Sequence, residues 1–283
     1  MEHIYFDHAA TTPVDGRVLE KMLPYFTEKF GNPNSQHWFG RETVAAVDEA
    51  RDTIAKLIGA KPAEIYFTSG GTEADNWALR GAAHAYKDRG RHLIVSAVEH
   101  PAMIATAKEL IREGFDVTFA EVDEYGKVDL EKLKKAVRSD TVFIGVMTAN
   151  NEVGTIQPIA EISAFAKERG IVFFTDAVQA AGALPIHVKS PAVDMLSFSA
   201  HKFYGPKGIG VLYVRSGLKI GKIITGGHQE RGMRGGTTNV PAIVGMAEAL
   251  RLSQEKLGEN AAYVASLRDR FISRVSKEIP CVK

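Results

Sequence analysis

One cysteine, Cys281, stands in a chain of 283 residues. A lone thiol excludes an internal disulfide framework and a cysteine-rich metal site, and it is the usage expected of a cytoplasmic protein. No uninterrupted apolar run reaches membrane-spanning length. The amino terminus, Met1 to Thr12, lacks the basic start and apolar core of a signal peptide. Neither sign of charge is in excess: 35 basic and 34 acidic residues nearly cancel, so no broad surface for nucleic acid or anionic lipid is expected. A small, locally charged ligand suits this balance better. What is present is 45% hydrophobic residues, enough to bury one large core or two smaller ones in a globular fold.

Apolar segments of strand length alternate with amphipathic segments of helix length, the pattern of an α/β domain with a mainly parallel sheet. Seven strands are expected: Glu64 to Thr68, His92 to Ala97, Asp116 to Glu121, Thr141 to Met147, Ile171 to Thr175, Asp194 to Ser199 and Gly210 to Arg215. Among the expected helices, Glu42 to Ile58 keeps Val44, Val47, Ile54, Leu57 and Ile58 on one face and stops at Gly59. Others are expected over Glu73 to Arg89, Pro101 to Glu113, Leu130 to Val137 and Ile159 to Arg169. No repeat or low-complexity linker interrupts this pattern. Beyond Pro241 the sequence turns helical, with Ile243 to Lys256 and Ala261 to Val275 as candidates. The division expected is an N-terminal segment over 1–15, a ligand-binding large domain over 16–250, and the helical start of a small domain over 251–283, most of which is absent.

The chemistry gathers at strand ends, where open α/β sheets bind ligands. In Ser199-Ala-His-Lys202-Phe-Tyr-Gly-Pro-Lys-Gly, a lysine follows a buried strand at the start of a glycine-rich turn. An amine there can condense with a carbonyl cofactor, and Ser199 and His201 flank it with groups suited to phosphate. By itself such a lysine reads as a surface residue. Its neighbours change that weighting. Ile171-Val-Phe-Phe-Thr-Asp176 is an apolar strand ending in a carboxylate, which is either a helix cap or the partner of a protonated ring nitrogen. Gln179 follows it, either within reach of a ring hydroxyl or exposed on a helix. Thr68-Ser-Gly-Gly71-Thr72-Glu passes from strand to helix through two glycines, an anion cradle as readily as a capped turn. Its glycine spacing matches neither a dinucleotide fingerprint nor a nucleotide P-loop. His100, after another strand, suits ring stacking and proton exchange. Asn151, in Thr148-Ala-Asn-Asn151-Glu-Val-Gly, suits a ring hydroxyl, a substrate carboxylate or a plain turn. Together these parts fit pyridoxal 5'-phosphate.

The ordered set of segments resembles the cysteine desulfurases of the NifS/IscS type, within the class V aminotransferase-like pyridoxal phosphate enzymes. It runs through Tyr5-Phe-Asp-His-Ala-Ala-Thr-Thr-Pro, Phe30-Gly-Asn-Pro-Asn-Ser, Thr68-Ser-Gly-Gly-Thr-Glu, Glu99-His, Ala149-Asn-Asn-Glu-Val-Gly-Thr, Asp176-Ala-Val-Gln, Ser197-Phe-Ser-Ala-His-Lys-Phe-Tyr-Gly-Pro-Lys-Gly and Gly226-Gly-His-Gln-Glu-Arg-Gly-Met-Arg. The resemblance implies the large domain of fold type I, with a seven-stranded sheet between helices. It implies that Lys202 forms the Schiff base, Asp176 pairs with the ring nitrogen, and His100 stacks on the ring. Asn151 and Gln179 would contact the ring oxygen, and Gly71, Thr72, Ser199 and His201 would hold the phosphate. Thr237 matches the position that reaches the phosphate of a neighbouring subunit, so a homodimer is implied. L-cysteine or a related amino acid would be the substrate, and an iron–sulfur scaffold protein or other sulfur acceptor the partner.

Two parts of the family pattern have no match. The persulfide-forming cysteine sits in relatives on a mobile, small-residue loop in the carboxyl-terminal part, and Glu278-Ile-Pro-Cys281-Val-Lys does not resemble it. Neither Arg231 nor Arg234 matches the arginine that clamps the substrate carboxylate. Three outcomes are therefore open: a desulfurase-like enzyme, a related aminotransferase or lyase, and an inactive cofactor-binding subunit.

Overall fold

The computed structural model describes residues 3–282. After an irregular start come α1 (Gly16–Met22), capped by the Asp15 carboxylate, α2 (Pro24–Thr27), and the long α3 (Trp38–Ile58), which ends on Gly59 at φ 71°. That left-handed C-cap is glycine's usual place, so the helix stop read from sequence falls where it was expected. There follow β1 (Ile65–Thr68), α4 (Gly71–Tyr86), β2 (His92–Ser96), α5 (Pro101–Arg112), β3 (Asp116–Ala120), α6 (Leu130–Ala136), β4 (Thr141–Gly145), α7 (Ile159–Glu168) and β5 (Val172–Asp176). The chain continues through β6 (Met195–Ser199), β7 (Gly210–Val214), α8 (Val240–Glu255) and α9 (Leu257–Glu278).

The seven strands form one sheet in the order β1-β7-β6-β5-β4-β2-β3. β3, β2, β4, β5 and β6 run parallel, while β7 is antiparallel to both β6 and β1. β1 therefore points the same way as β6, and the carboxyl ends of every strand but β7 share one edge. The central strands are buried on both faces, which explains why they read as continuous apolar runs rather than alternating ones. One core fills the face covered by α1, α3, α7 and α8, and a second lies under α4 and α5, centred on the buried Trp77, Met103 and Phe174. The sequence reading missed α1 and α2 because they are too short for a periodic signal; α1 buries only Val18 and Met22.

α9 differs from the rest. None of its residues is buried, and Tyr263, Val264, Leu267, Phe271 and Ile272 stand exposed along it.

Candidate functional site

At the shared strand edge lies a cavity of about 530 Å³ lined by Gly71, Thr72, His100, Asn151, Asp176, Gln179, Ser199, His201 and Lys202. Nine of the ten residues singled out from sequence thus meet at one place. The tenth, Thr237, does not: it is exposed and borders a separate groove of about 200 Å³ beside Gln229 and Arg234.

Lys202 sits in a 3-10 turn directly after β6. Its Nζ donates to the carbonyl oxygens of Ala9 and Ala10, at 2.8 Å for the latter. Burial, opposed by the charges of Asp176 and Asp7, holds its pKa below the usual lysine value, which favours the free amine a nucleophile needs. The wall it rests on is the N-terminal segment, which the sequence reading did not place in the site. That segment is tied to the lysine turn by Thr12 N–H and Oγ1 donating to the His201 carbonyl (2.9 and 3.0 Å), by Tyr204 N–H donating to Thr12 Oγ1, and by a Thr11–His201 side-chain contact of 3.1 Å. Gln179 Nε2 also donates to Ala9 O at 3.0 Å.

Asp176 closes β5 and is 4% exposed. Its Oδ1 accepts from Val178 N–H at 2.7 Å, the local cap that the sequence left as one alternative. Burial raises its pKa to about 6, against the lowering effects of that N–H and of Lys202. Both sequence alternatives are therefore compatible, since a carboxylate that caps this turn through one oxygen keeps acceptor capacity facing the cavity.

The anion cradle is the start of α4. Gly70 has φ 150° and ψ −177°, a conformation only glycine adopts freely, and no side chain caps the helix. Its first-turn N–H groups and dipole are left for an anion. A Cβ on Gly71 would come within 2.9 Å of Val178, and one on Gly210 within 2.7 Å of the Gly70 backbone, so the turn is held closely against its neighbours. Glu73 fixes it further by accepting from Ser69 N–H and from the Arg234 guanidinium. A second pocket of about 390 Å³ opens on this turn and adds Lys207 to Thr72, Ser199 and His201, a cation the sequence reading passed over although it lies in the same glycine-rich segment.

His100 caps α5: its Nδ1 accepts Ala102 N–H at 3.1 Å. Burial and then the Lys202 charge lower its pKa, so the neutral ring carries its proton on Nε2 and serves as a donor. Asn150, not Asn151, holds the loop after β4, donating to Val98 O and accepting from Glu152 and Val153 N–H. Asn151 is thereby turned to the cavity, its Nδ2 donating to Glu152. Two buried acids were not anticipated. Asp75 of α4 accepts from Ser197 Oγ at 2.6 Å, and Glu99 accepts from Ser96 Oγ and Met147 N–H through Oε1 while its Oε2 has no partner. Cys281 is exposed and does not line the cavity.

An amine, a buried acid, an imidazole and an anion cradle on one cavity are the donor set that pyridoxal phosphate requires, and the residues present fit that group. The sequence profile of the class-V aminotransferases matches residues 4–280. The chain belongs to that family. It is 52% identical over 276 residues to the cysteine desulfurase IscS of Dictyoglomus turgidum, covering 98% of this chain and 70% of that one. Among solved structures it is similar to a NifS-like protein (45% identity, TM-score 0.96, 98% of this chain and 76% of the other). It is also similar to SspA in complex with cysteine (42% identity, TM-score 0.86, 88% and 72%). The fold-type-I architecture expected from the motifs agrees with these neighbours, and β7 is the one strand that departs from the parallel arrangement.

Proposed function

We propose that this chain is a pyridoxal phosphate-dependent enzyme of the cysteine desulfurase class, which takes sulfur from L-cysteine for iron–sulfur cluster assembly and leaves L-alanine. The observation that carries this is the meeting of Lys202, Asp176 and the open start of α4 on one cavity, in a family whose relatives are named for that activity. The cofactor, when bound, supplies an electron sink conjugated to the substrate Cα. Lys202 Nζ is the amine that would hold its carbonyl carbon and, as a free amine, would serve as the base for the substrate Cα proton. Asp176 holds the ring-nitrogen proton. His100 would flank the ring and offer its Nε2 proton, and Asn151 and Gln179 would hold the ring oxygen. Gly71, Thr72, Ser199 and His201 receive the phosphate.

The sulfur must pass to a thiolate acceptor, and the exposed Cys281 is not assigned that role. The persulfide-forming cysteine is not among the cavity residues, and an iron–sulfur scaffold protein or another sulfur acceptor is the proposed partner that receives the sulfur. Thr237, exposed and away from its own cavity, supports a homodimer in which it reaches the phosphate site of the second copy. The cytoplasm is the proposed location. Residues 16–250 form the cofactor-binding domain, and 251–283 begin a second one; the uncovered apolar side chains of α9 support that division.

The test is incubation of purified protein with pyridoxal phosphate, L-cysteine and a thiol reductant, with alanine and sulfide measured. Equimolar alanine and sulfide that survive Cys281→Ser and vanish in Lys202→Ala are expected. Transamination of other amino acids without sulfide release overturns the reading.

A further inference from the structure

The cavity floor holds an acid that the sequence motifs did not single out. Asp75 projects from α4 and is 1% exposed. Its Oδ1 accepts from Ser197 Oγ of β6 at 2.6 Å. Ser197 is the residue that pairs with Asp176 in the β5–β6 register, so the hydrogen bond from its hydroxyl brings Asp75 into the same buried corner as Asp176; both acids border the cavity, and each acts on the other's protonation. Two carboxyl groups in one buried corner need a proton between them, since two bare charges there would repel.

We propose that Asp75 is a positioning residue for the cofactor's ring nitrogen: it keeps its own proton, donates it as a hydrogen bond to Asp176, and so maintains Asp176 as the carboxylate facing the cavity. The inference rests on the reading of Asp176 as the ring-nitrogen partner.

The surroundings decide which acid keeps the proton. Asp176 has a backbone N–H donor from Val178 and the cation of Lys202 to stabilise its charge. Asp75 has one hydroxyl donor, and the titratable groups that act on it are Asp176 from β5 and Glu99 from the loop after β2, both acidic. Burial first, and then the Asp176 charge, accordingly hold Asp75 well above the usual carboxylate range. Oδ1 is occupied by Ser197, which leaves Oδ2 as the oxygen free to carry a proton. A neutral donor at this place stabilises a carboxylate without adding a charge that would compete for the ring-nitrogen proton.

Infrared spectra of the apoprotein test where the proton lies. Wild type at pH 7.5 is expected to show a protonated-carboxyl C=O band with two contributions, one removed by Asp75→Asn and the other by Glu99→Gln. An acid band unchanged in Asp75→Asn overturns the proposal. Cofactor titrations test the positioning role. Asp75→Ala is expected to weaken pyridoxal phosphate binding about tenfold or more, the loss of one charge-assisted hydrogen bond, while Asp75→Asn, which keeps a donor, stays near wild type. Equal weakening in both variants, or none in either, overturns the proposal. Should Asp75→Ala not fold, Asp75→Asn decides: near wild-type cofactor affinity with one acid band lost supports the proposal, and weakened affinity overturns it. Wild type that shows the acid band but binds no cofactor overturns the cofactor reading instead, so the two failures are distinguishable.

Discussion

Replacing Glu99 by glutamine removes a buried acid whose protonation is coupled to folding. Glu99 is 6% exposed, receives two hydrogen bonds on Oε1, and leaves Oε2 without a partner. Burial, with the Asp176 charge adding to it, raises its pKa to about 8 from an ordinary 4.5. The folded protein thus holds a proton here that the unfolded chain releases above pH ~4.5. Stability from this group is fully present below that value and is lost as pH rises through 8. Each pH unit inside the window costs about 1.4 kcal/mol, so about 2.5 kcal/mol disappears between pH 6 and 8. For a domain of this size that corresponds to a fall in Tm of about 5–10 °C. A glutamine amide cannot titrate, so the Glu99→Gln variant should lack this slope even if its stability at pH 6 is lower. Thermal unfolding of the two apoproteins across pH 6 to 9 measures the difference, in which the contributions of Asp75 and Asp176 largely cancel. Parallel Tm–pH curves refute the assignment of the proton to Glu99.

Lys202→Ala is expected to abolish the visible absorption band formed with pyridoxal phosphate, while quenching of Trp fluorescence still reports noncovalent binding; a band unchanged in the variant sinks the lysine assignment. Arg51→Ala breaks the buried pair with Glu230, whose side chains are 11% and 7% exposed and meet at 2.8 Å. It leaves a carboxylate without its cation, at a cost of about 3–5 kcal/mol in urea unfolding; a loss below about 1 kcal/mol, the worth of a surface pair, would contradict the burial argument. Asp176, raised to about 6 by burial, makes the apoprotein less stable as pH climbs from about 4 to 6. A cationic ring nitrogen beside it lowers that pKa and removes the loss, so the Tm gain from cofactor should grow across this range in wild type and stay flat in Asp176→Asn. Equal pH dependence in both proteins argues against Asp176 as the charge partner.

Much of the site could be read before the fold was known because the parallel strands are short, apolar and end in polar residues. Asp176, Lys202 and the Gly70-Gly71 turn each stand at such a boundary. The direction of β7 was available too: the connection from Ser199 to Gly210 is shorter than the dozen or so residues a parallel crossover needs. Asp75 was hidden by its neighbours. Between Glu73 and Asn76 it looks like part of a solvated helix face, and only the placement of α4 against β6 and β5 shows it buried on Ser197. Glu99 was overshadowed by His100, and the Met147 N–H that it satisfies lies on another strand's exit. The N-terminal wall has no periodicity, and its partners His201 and Tyr204 are remote in sequence.

Asp75, Glu99, Asp176 and Lys202, of which all but Glu99 border the cavity, act on one another's protonation and make electrostatic sense as a set. If Asp75, Glu99 and Asp176 all carried charge, the Lys202 cation could offset one of them, and the remaining two would lie uncompensated in a buried site. Protons on Asp75 and Glu99 leave Asp176 negative and Lys202 positive, so these four groups together are neutral, with the exposed Asp7 and Glu152 of the cavity wall outside the set. Were the Lys202 charge lost, Asp176 would be left without a cation, and a protonated ring nitrogen beside it would supply one. Asp176 is thus kept available as an anion for a cationic ring, and a cofactor that binds the folded state alone adds to stability by mass action.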